Sequence, residues 1–314
     1  MRRGSNSFDF PLIVENITKQ YGDFTAVQNL SFQVEKGEIY GFLGQNGAGK
    51  TSTLRMIMDI VPQTAGTLTV LGSPSPRKVR KRIGYLPEER GLYRKMRAYE
   101  AITHFAQLKG VSARKAKQRA HALLEEFGLG AFAKSKIEAL SKGMAQKVQL
   151  LSTVAHEPEL LILDEPFSGL DPVNQQVLED MILELRNQGR TIIFSTHVME
   201  HAERLCDRFL MLRKGQKVFE GTLAEAQSTD EPVLILETPD DPLPLLNMPE
   251  ITDIIAQDKG QYALVVAPMA NKQEILRACL QQNIRVEFFG EATPSLHDIF
   301  FRLAGADTQT GESR

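Results

Sequence analysis

The chain contains no apolar run approaching the roughly eighteen residues that a membrane-spanning helix needs, so it is not expected to cross a bilayer by itself. It has only two cysteines, Cys206 and Cys279, far apart and without metal-ligand spacing, which excludes a disulfide scaffold and predicts buried, reduced thiols in a cytosolic setting. Neither sign of charge dominates. With 37 basic and 39 acidic residues the formal net charge is −2, which gives no overall electrostatic reason to bind along nucleic acid. The opening "MRRGSNSFDF" has arginines but no apolar segment behind them, and reads as a polar tail and not a secretory signal. There is no internal repeat. The 314 residues have an ordinary globular composition and are enough for one large domain and a smaller one.

From "LIVENITKQYG" to "LSFQVEKGEIYGFLG" short β-rich runs alternate apolar and polar residues, as at Leu30, Phe32 and Val34, which predicts a sheet. "GKTSTLRMIMDIV" has helical spacing, "GTLTVLG" returns to strand, and "SPSPRK" reads as a Pro-rich turn. Between about 90 and 157 the composition shifts to Lys, Arg, Glu and Ala with helical periodicity, a helical insertion in which Ser112 is a candidate N-cap. Two compact apolar strands, "LLIL" and "TIIFST", then flank the helix "NQQVLEDMILELRNQG", the βαβ rhythm of a parallel sheet. "RFLMLRKGQKVFEGT" reads as a hairpin. A break at "STDEP" divides a first domain, 10–228, from a small α+β domain, 232–305, with tails at 1–9 and 306–314. The Pro-rich "TPDDPLPLLNMPE" interrupts that second domain and has no firm place in the pattern.

Four segments carry chemistry. "GQNGAGKT", Gly44 to Thr51, follows a strand and opens a helix. Its glycines let backbone amides face a polyphosphate at the positive end of the helix, Lys50 reaches the terminal phosphates and Thr51 offers a hydroxyl to Mg²⁺. "LLILDEP" ends a buried strand in adjacent acids that point opposite ways. Asp164 is suited to hold Mg²⁺ through its water shell, and Glu165 to orient or deprotonate the attacking water. "FSTH" ends the next strand in His197, where a γ-phosphate contact competes with a satisfied core histidine. "LSKGMAQKVQL" has Ser141 as N-cap and Gly143 in the first turn, where glycine costs up to about 1 kcal/mol relative to alanine and signals a close approach to the backbone.

In this order, "GQNGAGKT", "LSKGM", "LILDEP", "SGLD" and "STH" resemble the nucleotide-binding subunits of ABC transporters, over about Asn16 to Thr222. The resemblance implies an α/β fold of the P-loop NTPase type, with a mixed sheet core, an antiparallel β subdomain and a helical insertion, followed by a small C-terminal α+β domain. It implies that Tyr21 stacks on adenine and that Gly44, Asn46, Gly47, Ala48, Gly49, Lys50, Thr51 and Ser52 cradle the phosphates of ATP. Mg²⁺ would be held by Thr51, Asp164 and Glu88, and hydrolysis carried by Glu165 and His197. Ser141 and Gly143 are expected to contact the γ-phosphate bound by a second copy of the subunit, with Asp171 joining the two copies in an ATP-dependent homodimer. Three positions depart from the family pattern: Lys142 for Gly, Met144 for Gln, and Glu88 for Gln. "YLPEERGLY", "LSKGM" and "SLHDIFFRLAG" look most like ATPases that pair with separate permeases in sodium, drug and other small-molecule efflux. This implies an ATPase held at the inner face of the cell membrane through an integral membrane permease, which Arg90, Leu92, Tyr93 and Met96 would touch. Nucleic acid is not an expected partner. The alternative is a soluble ATPase of the same type acting on ribosomes or DNA.

Overall fold

Strands built almost wholly of apolar residues must be covered on both faces, and this requirement organises the molecule. The structure, a computed structural model, describes residues 10–89, 91–228, 233–256, 260–267, 270–292, 295–297, 299 and 300. It divides into two units between Thr222 and Leu223. The first runs β1 (Leu12–Tyr21), β2 (Phe24–Val34), β3 (Ile39–Leu43), α1 (Lys50–Ile57), β4 (Ala65–Val70), α2 (Pro76–Val79), β5 (Ile83–Leu86), α3 (Ala98–Leu108), α4 (Ala113–Glu126), α5 (Lys142–Val154), β6 (Leu160–Asp164), α6 (Pro172–Asn187), β7 (Thr191–Thr196), α7 (Met199–Leu205), β8 (Arg208–Arg213) and β9 (Gln216–Gly221).

A six-stranded sheet has the order β5-β6-β7-β3-β8-β9, parallel throughout except at the antiparallel edge pair β8 and β9. Successive residues of β6 face opposite ways. Leu160 and Ile162 join a core shared with the antiparallel sheet β2-β1-β4, whereas Leu161 and Leu163 join a second core under the helices. β7 divides in the same way, with Ile193 on the first face and Ile192 and Phe194 on the second. The alternating Leu30, Phe32 and Val34 are all buried. Gly41 sits mid-strand because the Cys206 sulfur fills the space that a side chain there would need.

The helical insertion packs through small residues. Ala116, Ala120 and Leu124 form a buried stripe at four-residue spacing on α4, and Ala98, Ala101 and Ala106 line the buried face of α3, so these helices approach closely. Two local expectations need correction. "SPSPRK" is not simply a turn: Pro76, at the first helical position, opens the short helix α2, where its missing amide costs nothing. Ser112 sits at the N-cap of α4 with extended backbone, but its side chain makes no capping hydrogen bond. Ser141 does cap α5, accepting from the Met144 amide at 3.2 Å.

The second unit contains α8 (Leu223–Ser228), β10 (Val233–Glu237), β11 (Ile251–Ala256), β12 (Gln261–Val266), α9 (Lys272–Gln281) and β13 (Phe288–Ala292). Its strands form an antiparallel sheet in the order β11-β12-β10-β13, and Ile275 and Cys279 of α9 share a core with Leu234, Leu236 and Leu264. The unplaced Pro-rich stretch resolves into a 3₁₀ turn, Leu243–Asn247, whose Leu245 is buried in that core. The last strand begins later than "IRVEFFG" suggests, at Phe288. The expected break at "STDEP" includes residues 229–232, which lie outside the described residues, as do both tails and all of 301–305. Among the described residues no helix is long and apolar enough to cross a membrane.

Candidate nucleotide site

The turn after β3 depends on glycine. Gly44 has φ +152°, and a Cβ there would run into the Leu212 carbonyl; Gly49 has φ +105°, and its Cβ would stand 2.7 Å from the Ala26 carbonyl. Both positions hold the loop tight enough for α1 to start at Lys50, with no acidic residue in its first turn to compete for the helix's positive end. Lys50 is buried. Its ammonium donates to the Gly44 carbonyl at 2.5 Å and stands 3.3 Å from Glu165 Oε1.

β6 and β7 are neighbours, so the residues at their ends converge. Asp164 pairs in register with Ser195, whose hydroxyl donates to Asp164 Oδ1 at 2.6 Å and accepts the Glu165 amide at 3.0 Å. Thr51 donates to the same carboxylate oxygen at 3.5 Å. His197 Nδ1 lies 3.0 Å from Glu165 Oε2; a carboxylate only accepts, so that nitrogen carries the proton. Glu165 Oε1 is buried and accepts no hydrogen bond, facing only the Lys50 ammonium. Glu165 also has φ +46°, a left-handed conformation that costs of order 1–3 kcal/mol and persists only where the surroundings enforce it.

A cleft of about 470 Å³ opens over these groups, lined by Asn46, Gly47, Ala48, Gly49, Lys50, Thr51, Ser52, Glu88, Glu165 and His197, with Phe24, Ala26, Gln45 and Ser168. Gly44 and Asp164 lie behind the lining, Gly44 through its carbonyl and Asp164 through the Thr51 hydroxyl. Burial raises the Asp164 carboxyl above its usual range, with the Glu165 charge adding to the rise and Ser195, Arg55 and Lys50 opposing it. Two hard oxygen donors at one spot and a carboxylate that is costly to ionise fit a small divalent cation such as Mg²⁺.

Tyr21 is not in the lining. It is 44% exposed at the end of β1, with Lys19 over its ring at 4.7 Å, and its register partner Phe24, 63% exposed, reaches the cleft instead. Ser141, Gly143 and Asp171 also lie outside this chain's own cleft. Asp171 caps α6, accepting from the Asn174 amide at 3.0 Å and its side-chain nitrogen at 2.6 Å, and both contacts hold its carboxyl below the usual range. The Asn174 side chain lies against Gly143, where a Cβ would collide with it. The close approach that glycine permits therefore has a partner within the chain. Lys142 reaches back to Gly169 in the "SGLD" turn. Sequence reasoning missed Ser195, Phe24 and Gln146, whose side-chain amide donates to the Pro166 carbonyl at 3.0 Å. For Ser195 the signal was present, two residues before His197 on the strand beside Asp164.

The family models and relatives agree on one lineage. A model described as "ABC transporter" matches residues 27–168, and one described as "ATP-binding protein DrrA1-3-like, C-terminal domain" matches residues 226–304. The chain is 41% identical over 295 residues to the Bacillus subtilis (strain 168) protein named "Uncharacterized ABC transporter ATP-binding protein YhaQ", covering 94% of this chain and 99% of that one. It is 33% identical over 303 residues to the "Nod factor export ATP-binding protein I" of Paraburkholderia xenovorans (strain LB400), covering 94% and 97%. A solved structure titled "Structure of ATP binding subunit of ABC transporter" superposes with a TM-score of 0.63 at 32% identity, over 69% of this chain and 92% of that one.

Proposed function

Because the chain belongs to the ATP-binding subunits of ABC transporters, whose members hydrolyse ATP, we propose that it powers a separate membrane permease for export of an ion, drug or other small molecule. Support for export comes from the relative named for Nod factor export. In this reading the chain is held at the inner face of the cell membrane through the permease.

The reading rests on one observation: Lys50, Thr51, Glu165 and His197 line one cleft whose loop amides open a helix, with Asp164 bonded to Thr51 behind it. In this reading the loop amides and Lys50 bind the β- and γ-phosphates of ATP, which requires Lys50 to exchange the Gly44 carbonyl for phosphate oxygen. Thr51 and Asp164, with Glu88 in the cleft lining, would hold Mg²⁺, which would supply positive charge to offset that of the phosphates. Glu165 Oε1, which no hydrogen bond occupies, accepts a proton from the attacking water or orients it, and His197 fixes Oε2 while turning its other ring nitrogen toward the γ-phosphate. Phe24 borders the adenine side, and stacking by Tyr21, its register partner outside the lining, would require that ring to turn into the cleft. Ser141 and Gly143 close the cleft of a second copy, so that ATP is shared between two chains. The γ-phosphate is then the contact that distinguishes the closed pair from the open one.

The permease would dock beside Glu88. There an apolar groove of about 300 Å³ is lined by Tyr85, Pro87, Leu92, Phe105, Leu108 and His156. Of the expected contacts, Tyr93 is 58% exposed, Leu92 and Met96 are half-buried against the helical core, and Arg90 lies outside the described residues.

Replacing Glu165 with Gln tests the reading. The variant should bind Mg·ATP, run as a dimer in size-exclusion chromatography with Mg·ATP, and lose at least about 100-fold in turnover, the size of effect expected when positioned general-base chemistry is lost. Wild-type steady-state hydrolysis by Glu165→Gln refutes it.

A further inference from the structure

Glu179 on α6 is 1% exposed and His201 on α7 is 2% exposed, a buried acid and imidazole that the proposed hydrolysis does not use. His201 Nδ1 and an Arg204 guanidinium nitrogen each lie 2.7 Å from the same Glu179 oxygen. Apolar residues could join two helices at least as stably as a buried acid–imidazole hydrogen bond, so such a pair is better explained by orientation than by stability. What it orients is visible. The Phe167 ring stacks on the His201 imidazole with centroids 4.2 Å apart and planes 27° from parallel, and Phe194 meets the Phe167 ring edge-on at 6.0 Å.

Phe167 stands two residues after Glu165, in the turn that holds Glu165 in its left-handed conformation. That turn is otherwise pinned by the Ser168 amide on the Glu165 carbonyl at 3.1 Å and by Gln146 on the Pro166 carbonyl. α6 begins directly after Asp171 and α7 two residues after His197. The three segments that bear on the proposed reaction therefore converge on one buried pair, although His201 itself does not line the cleft.

We infer that the Glu179–His201 pair is a positioning clamp for hydrolysis. It holds the imidazole as a platform for Phe167, and Phe167 keeps the Glu165 backbone in the conformation that aims its carboxylate into the cleft. His201 acts through Glu165 and touches no reacting atom. The inference rests on the assignment of Glu165 as the residue that handles the attacking water.

The test is a double-mutant cycle on the purified full-length chain. His201→Ala should lower kcat about 10- to 100-fold, as a misplaced reactive group does, with KM for ATP changed less than about twofold. In the Glu165→Gln background the same substitution should leave the residual single-turnover rate unchanged, because the carboxylate it aims is already gone. His201→Phe, which keeps a ring on Phe167 and leaves Glu179 to Arg204, should restore most of kcat. Should His201→Ala fail to fold, His201→Asn replaces it, keeping a donor to Glu179 without the ring, and the same losses are expected. An unchanged kcat in the folded variant, or an equal fold-loss in both backgrounds, overturns the clamp. Normal hydrolysis by Glu165→Gln alone would instead overturn the Glu165 assignment, so the two failures are read separately.

Discussion

At the scale of single residues, burial sets how charge is used. Glu38, 7% exposed just before β3, accepts the Glu35 amide at 2.6 Å and lies 3.5 Å from Arg208. Burial outweighs both contacts and pushes its carboxyl up from 4.5 to about 7. The folded state therefore holds this proton more tightly than the unfolded chain does. The stabilisation that results is fully present below about pH 4.5 and is lost as pH rises through about 7. Glu38→Gln, which keeps an acceptor without the charge, should gain stability over wild type as pH rises from 5 to 8, by up to about 3 kcal/mol. Urea unfolding at the two pH values checks it; a gain that does not grow with pH would contradict the account. Lys50 and Glu165 show the other outcome, two buried charges left with each other and with loop carbonyls, in a place where a polyphosphate would find both.

Elements add what single residues lack, which is direction. The segment from Glu88 to Met96 leads into α3, and its contacts divide: Leu92 and Met96 pack inward, while Tyr93 stays outside with its ring edge-on to His104 at 5.9 Å. Removing Tyr93 should therefore leave the core and the cleft intact. Tyr93→Ala is expected to keep basal ATPase within about twofold of wild type while losing most permease-coupled transport, since interface aromatics carry much of a binding energy. Equal loss of both activities would count against a docking role. In the apolar groove lined by Leu92 and Phe105, His156 is neutral through the physiological range, because burial and Lys109 push its imidazole down to about 4. Its Nδ1 is buried without a hydrogen-bond partner.

At the scale of the whole molecule the incomplete feature is the far side of the cleft. Ser141 caps α5, and Gly143 lies in its first turn, both outside this chain's own cleft, and Asp171 is exposed at the start of α6. If a second copy supplies these groups, hydrolysis per mole of chain should rise with protein concentration until the dimer saturates, by mass action. A specific rate that stays constant across about a hundredfold dilution, at saturating Mg·ATP, would exclude the shared site.

The sequence by itself determined the parts that local chemistry dictates. The Gly-rich turn before a helix, the paired acids after "LLIL", the apolar strands that demand two covered faces and the helical periodicity between about 90 and 157 all follow from spacing and residue type. Where chains cross in space, it was silent. It could not tell that Ser195 bridges Asp164 and Glu165, that Phe24 and not Tyr21 reaches the cleft, or that Asn174 occupies the space above Gly143. Nor could it join His201 to Phe167, 34 positions apart in number and in contact only because β6 and β7 lie side by side. Periodicity and local propensity act over a few residues along the chain. The aim of a carboxylate is set by whatever packs against it, and only the tertiary structure decides that.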